Sequence, residues 1–217
     1  MLDISIKYAL FDMDGTLTDT MDYWYTCIPE YLSETGTFLT EEQQRDINSK
    51  GIADALAYVR SLGLSPSADA ITKEDIARVL LRHYEEDAVA KPGVRAFLED
   101  LRARGVKMGV ATLTPEPLAQ ACLARTGLLP YFSFVFGGDA YPEGKTEPRI
   151  FLDAAKEFGC APAEMVLFED SYYSIKTARK LGIPVIGVAD KYQAHERKRI
   201  MDAAVAFFDD GFTKRVK

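Results

Sequence analysis

Asp12 and Asp14 stand one residue apart at the end of an apolar run, Tyr8-Ala9-Leu10-Phe11, and are followed by Gly15-Thr16. The run has the composition of a buried parallel strand, and functional loops gather at the carboxyl edge of parallel sheets. Two carboxylates held there repel each other unless a proton or a cation lies between them. The pair points to a divalent metal and to an aspartate acting as nucleophile. An Asx-turn closed by glycine is the ordinary alternative.

Three later segments carry compatible chemistry. Gly109-Val110-Ala111 ends in Thr112-Leu113-Thr114-Pro115, which sets hydroxyls at a strand end just before a helix start, where an anion is favoured. Thr112 is expected to point into a site and Thr114 to serve as a plain N-cap ahead of Pro115. The loop Gly144-Lys145-Thr146-Glu147-Pro148 offers one lysine. It is either solvated surface or a cation that holds a phosphoryl group beside a nucleophile. Val166-Leu167-Phe168 ends in Glu169-Asp170-Ser171. One of these residues could cap a helix, but two buried acids facing another acidic pair call for a counter-charge.

The elements that must position these residues alternate. After the first strand the chain reads as helices: Met21 to Thr35, a capped start at Thr40 with Gln43 three residues on, Ile52 to Leu62 ended by Gly63, and Thr72 to Glu86 with Ile76, Val79 and Leu80 on one face. From Lys91-Pro92-Gly93 onward, helices at 94–104, 115–125, 148–158, 171–181 and 196–201 separate strands at 106–111, 132–136, 165–168 and 185–188. A last strand at 204–207 is expected to form an edge. The pattern predicts a Rossmann-like, doubly wound α/β core with a parallel sheet covered on both faces, in residues 1–17 and 90–217, and an inserted α-helical cap in 18–89. The two crossings, near 16–20 and 88–92, could hinge a lid.

Composition sets outer limits. A chain of 217 residues with 47% apolar residues has material for one large core plus an inserted lobe. A net charge of −7 provides no general attraction to nucleic acid or anionic membranes, so an anionic substrate needs a local positive site. Cys27, Cys122 and Cys160 have neither zinc spacing nor a disulfide framework and suit a reducing cytoplasm. Asp3 and Lys7 interrupt any signal-peptide core, and no apolar run approaches the ~20 residues of a membrane span.

In this order, Asp-x-Asp-Gly-Thr, a strand-end Thr, a loop Lys and Glu-Asp resemble the four motifs of the haloacid dehalogenase-like superfamily. Asp12, Asp14, Thr112, Lys145, Glu169 and Asp170 match them residue for residue. The likeness spans the chain and is closest to the branch holding beta-phosphoglucomutases and phosphoglycolate phosphatases. It implies that Asp12 attacks phosphorus to form an aspartyl-phosphate, and that Asp14 protonates the leaving oxygen and then activates water. It also implies Mg²⁺ held by Asp12, the Asp14 backbone carbonyl and Asp170, with Glu169 bound directly or through water. Thr112 and Lys145 would take the phosphoryl oxygens. The expected partner is a small phosphorylated substrate, and the expected state is a monomer or weak homo-oligomer.

The same resemblance separates the competing activities. Dehalogenases lack the second aspartate, and phosphonatases replace it with a small residue and add a cap lysine, a part Lys50 could play only against Asp14. Mutases carry a histidine where Trp24 stands and an arginine where Asp54 stands, and an acid there repels a second phosphate. Simple hydrolysis is therefore preferred to a beta-phosphoglucomutase-like reaction; a non-catalytic binding protein on the same fold is the remaining alternative. His83 and His195 read as solvated, Tyr23, Trp24 and Tyr25 as packing, and Glu196-Arg197-Lys198-Arg199 as an exposed helix face. Asp139 and Asp190 follow strands and could support the site from behind.

Overall fold

The computed structural model describes residues 6–217; Asp3, invoked above against a leader, lies outside them. The chain forms two compact units, one from the segments up to Thr20 and from Ala88 onward, the other Met21–Asp87.

The smaller unit is helical: α1 (Met21–Glu34), α2 (Glu41–Asn48), α3 (Ile52–Ser61), α4 (Pro66–Asp69) and α5 (Lys73–Glu86). Thr40 and Thr72 each close a reciprocal capping box, with Gln43 and Asp75. The buried faces of α1 (Cys27, Ile28, Leu32) and α5 (Ile76, Val79, Leu80, Tyr84) pack together. The short α4 was not anticipated, although Ser65-Pro66 is a capping residue followed by a first-turn proline.

The larger unit is built on β1 (Tyr8–Phe11), β2 (Lys107–Ala111), β3 (Val135–Phe136), β4 (Met165–Glu169), β5 (Val185–Val188), β6 (Ala206–Asp210) and β7 (Lys214–Arg215). Its helices are α6 (Val94–Ala103), α7 (Glu116–Arg125), α8 (Arg149–Phe158), α9 (Tyr172–Lys180) and α10 (Arg197–Ala203). The sheet order is β3-β2-β1-β4-β5-β6-β7, and all pairs are parallel except β6 with β7. Side chains alternate across it. Leu10, Leu167 and Phe207 join Phe151 of α8 and Ile175 of α9. Phe11 and Phe168 stack at 4.4 Å, and Phe168 and Phe208 meet Phe97 of α6. Near-continuous apolar strands are thereby buried on both sides.

Two expectations are corrected. The strand placed at 132–136 is only Val135–Phe136, because Leu129–Tyr131 form a 3₁₀ turn that takes the Phe132 N–H. The strand placed at 204–207 is β6, and it is not the margin. Gly211, at φ 50°, turns the chain back so that β7 covers it. The exposed polar β7 has no apolar alternation to announce it.

The register fixes where the motifs emerge. Phe11 pairs with Val110 on one side and Phe168 on the other, so Asp12 lies level with Ala111 and Glu169. β1 is also where the strand order reverses, with β2 on one side and β4 on the other. Crevices at the carboxyl ends of strands around such a point are where α/β folds place ligands.

Candidate active site

β1 extends one residue past its end: the Asp12 N–H donates to Phe168 O at 3.0 Å. The chain then folds tightly, with the Leu17 and Thr18 N–H groups both reaching Met13 O. Gly15 occupies φ 84°, a region where a Cβ collides with backbone. This turn holds Asp12 and Asp14 close together at the sheet edge.

Lys145 arrives from a 3₁₀ turn before α8 and is 2% exposed. Its ammonium donates to Asp12 Oδ1 at 2.5 Å and to Glu169 Oε2 at 2.9 Å. It is thus not the solvated lysine of the bland alternative. Burial alone would push the ammonium down; Asp12 and Glu169 outweigh burial and hold it above its usual value. Burial, opposed by Lys145 and aided by Glu169, pushes the Asp12 carboxyl from 3.8 up to about 7. Burial also raises Asp170 well above its ordinary value, with Glu169 and Asp12 adding to the effect.

Both Glu169 oxygens accept hydrogen bonds. Its Oε1 accepts the N–H groups of Asp170 and Ser171 at 3.2 and 3.1 Å, and its Oε2 also accepts the Ser174 hydroxyl at 2.6 Å. Neither Asp170 nor Ser171 caps α9 through its side chain. Asp170 Oδ1 accepts Thr16 Oγ1 at 3.4 Å and Ser171 Oγ at 3.3 Å. The other oxygens, Asp12 Oδ2 and Asp170 Oδ2, are buried without a hydrogen-bond donor.

Those two oxygens test the fit of a cation. Asp12, Glu169 and Asp170 each present a carboxylate oxygen within 4.8 Å of the others, and all three are buried. The one ammonium pairs with Asp12 and Glu169, which leaves negative charge uncompensated when all three acids are ionised. An all-oxygen set with two orphaned lone-pair donors suits a hard divalent ion. The residues fit.

Asp14 is clamped by hydroxyls. Thr20 Oγ1 donates to Asp14 Oδ1 at 2.6 Å, and Thr114 Oγ1 to Asp14 Oδ2 at 2.6 Å. The expectation that Thr114 is an ordinary N-cap is therefore corrected. Pro115 occupies the cap position of α7, and the Glu116 N–H is taken by Asp139 Oδ1 at 2.8 Å. Thr112 is 1% exposed, and its Oγ1 accepts the Thr114 N–H at 3.1 Å.

The structure brings Asp12, Lys145, Glu169 and Asp170 into one hydrogen-bonded group and sets Asp14 and Thr112 on the two segments joined by Thr114. Thr20, Thr114 and Ser174 were missed as participants: Thr114 meets its partner across 100 residues, and Thr20 and Ser174, although five or six residues from theirs, carry no spacing motif that marks a hydroxyl turned back onto a carboxylate. Lys91 was missed too: it is buried, and its ammonium donates to Asp190 Oδ2 at 2.9 Å and Ala189 O at 2.8 Å. In the helical unit, Trp24 Nε1 donates to the Tyr84 hydroxyl at 2.8 Å, which is packing as expected. His83 departs from its solvated reading, since it stacks on Tyr23 and faces Glu30 and Asp87 at 2.7 and 2.8 Å. Lys50 is exposed, its ammonium on Asp46 O at 3.0 Å. His195 is exposed, and Arg197, Lys198 and Arg199 pair with Asp209, Asp202 and Glu196.

The family model described as haloacid dehalogenase-like hydrolase matches residues 6–182. A phosphorylated carbohydrates phosphatase of Thermotoga maritima is 29% identical over 200 residues, covering 91% of each chain. A phosphoglycolate phosphatase of Xanthomonas campestris pv. campestris is 32% identical over 192 residues, 86% of this chain and 85% of the relative. Among solved structures, CbbY from Rhodobacter sphaeroides in complex with phosphate shares the fold at a TM-score of 0.79, with 24% identity and 96% of both chains covered.

Proposed function

Because the chain belongs to the haloacid dehalogenase-like hydrolase family and is a phosphatase of it, we propose that it hydrolyses a small phosphorylated metabolite, with Mg²⁺, through an aspartyl-phosphate on Asp12. The observation that carries this proposal is the pair of orphaned oxygens, Asp12 Oδ2 and Asp170 Oδ2, beside an Asp12 Oδ1 held by Lys145.

Asp12 and Asp170 would hold the ion by their side chains and Asp14 by its backbone carbonyl, with Glu169 adding charge or a bond through water. When bound, the ion supplies positive charge that offsets repulsion between carboxylate and phosphate and stabilises the charge of the transition state. Lys145 orients the Asp12 carboxylate and, with Thr112, is the proposed holder of the phosphoryl oxygens. An Asp12 oxygen attacks phosphorus and the bond to the leaving oxygen breaks while Asp14 gives that oxygen a proton. Water then attacks the same phosphorus, Asp14 takes its proton, and phosphate departs with Asp12 restored.

The relatives named for phosphorylated carbohydrates and for phosphoglycolate support small phosphate monoesters as the substrate class. Among the described residues no helix is long and apolar enough to cross a membrane. A cytoplasmic setting is proposed with support from the three free cysteines, two of them buried.

Phosphate release from p-nitrophenyl phosphate and a panel of phosphorylated metabolites tests the proposal. Turnover is expected with Mg²⁺, its loss with EDTA, and no turnover for Asp12→Asn. A folded wild type inert toward the whole panel would favour the non-catalytic alternative.

A further inference from the structure

An ordinary strand-to-helix turn would use Thr114 to cap α7. Here that task is carried out from elsewhere. Gly137-Gly138-Asp139, directly after β3, lies against the segment 112–116. Asp139 Oδ1 accepts the Glu116 N–H at 2.8 Å, and the Gly138 N–H donates to Thr114 O at 3.0 Å. The approach tolerates no side chain. A Cβ at Gly137 would lie 2.1 Å from Glu116 N, and one at Gly138 2.1 Å from Leu113 O. The Thr114 N–H is used by Thr112 Oγ1, so its main chain is pinned on both sides. The Thr114 hydroxyl, 1% exposed, is left to meet Asp14 Oδ2 at 2.6 Å across 100 residues of sequence.

From this arrangement we infer that Thr114 is a positioning residue for the acid–base group Asp14, and that Gly137-Gly138-Asp139 is the strap that frees and holds it. The inference rests on the proposed role of Asp14. A hydroxyl suits the task because it donates to Asp14 Oδ2 and leaves that oxygen's other lone pair for the proton that is moved. Holding the carboxyl in one rotamer matters because displacement by about 1 Å can reduce rate ~100-fold.

The test compares Thr114→Val and Thr114→Ser in the full chain with Mg²⁺, on phenyl phosphate and p-nitrophenyl phosphate. Phenolate leaves with the help of a proton; p-nitrophenolate leaves without one. Thr114→Val is expected to lower kcat on phenyl phosphate roughly 10- to 100-fold, with KM within about twofold. The rapid first release of p-nitrophenolate, which reports attack by Asp12, should fall far less. Thr114→Ser, which keeps the hydroxyl, should recover kcat to within about threefold. Gly138→Ala, if it folds, should reproduce the Val pattern; if it does not, the Val and Ser pair decides.

Three outcomes would overturn the inference alone: Val acting like wild type, Val and Ser losing activity equally, or Val raising KM with kcat kept. An inert wild type, or an Asp14→Asn variant with full turnover, would instead overturn the reading beneath it, and the inference with it.

Discussion

Lys145→Met removes the ammonium at the centre of the acidic group while keeping a stem of similar length. The lysine is 2% exposed and bonded to Asp12 and Glu169 at 2.5 and 2.9 Å, so solvent does not replace it. Deleting one partner of a buried ion pair costs about 3–5 kcal/mol, because the other charge is left uncompensated. In a chain of this size ~1 kcal/mol corresponds to about 2–4 °C of melting temperature. A fall of roughly 6–20 °C is therefore expected in EDTA at pH 8, measured by circular dichroism melts. The deficit must depend on pH. Asp12 already has its carboxyl raised to about 7 in the folded protein, and Asp170 is raised as well. An acid whose folded-state pKa lies above the unfolded one gains stability as pH falls through the folded value and loses it as pH rises. Without the ammonium the Asp12 carboxyl shifts further up, so the deficit should shrink between pH 8 and pH 5. Mg²⁺ at 100 times its dissociation constant should restore about 2.7 kcal/mol. A variant that melts within 2 °C of wild type at pH 8, or with equal deficits at pH 8 and 5, would show that these charges are not confined together.

Other perturbations probe separate parts of the molecule. Asp170→Asn, which keeps the shape and removes a charge, should weaken Mg²⁺ binding at least tenfold by isothermal calorimetry; unchanged affinity would remove Asp170 from the cation's ligands. His83 faces a carboxylate from each ring nitrogen, and although burial lowers its pKa, Glu30 and then Asp87 raise it above 6.5 overall. The stability it gives the helical unit should be complete below 6.5 and lost as pH rises through the raised value. His83→Gln should abolish that loss in melts between pH 6 and 9, and an identical profile in the variant would exclude the histidine as its source. Gly109→Ala would set a Cβ 2.3 Å from the Phe134 ring and should destabilise by about 1–3 kcal/mol in urea unfolding. A neutral effect would mean that the ring is free to move away.

The parts legible in the chain alone were those in which charge conflicts with its setting. Asp12, Glu169 and Asp170 end apolar strands, where an acid without a counter-charge is costly, so their types and positions already called for one another. Lys145 became legible only beside them. The helix starts at Thr40 and Thr72 were legible because capping is local. Thr114 was not, because its meaning depends on which strand lies beside which, and Thr20 and Ser174 were not, because the folding back of each hydroxyl onto Asp14 or Glu169 is set by the turn between them. The Gly137-Gly138 pair reads as a flexible turn until the close approach of Leu113 and Glu116 is known. Lys91 passed for punctuation between units, yet it pairs with Asp190 across 99 residues. β7, short and polar, has no signal that periodicity could detect.

The placement of β1 has a consequence for synthesis. Among the described residues it precedes every other strand, yet both of its neighbours, β2 and β4, come much later. Asp12 precedes Lys145 by 133 positions, which at ribosomal rates is a wait of roughly 7–27 s. Until β2 is made the apolar β1 has two open sides, and until residue 145 is reached Asp12 lacks its ammonium. The sheet cannot close from the amino terminus onward. It must wait for its middle to be flanked from downstream, so a truncated nascent chain ending before β4 would lack both the finished sheet and the charge arrangement at its edge.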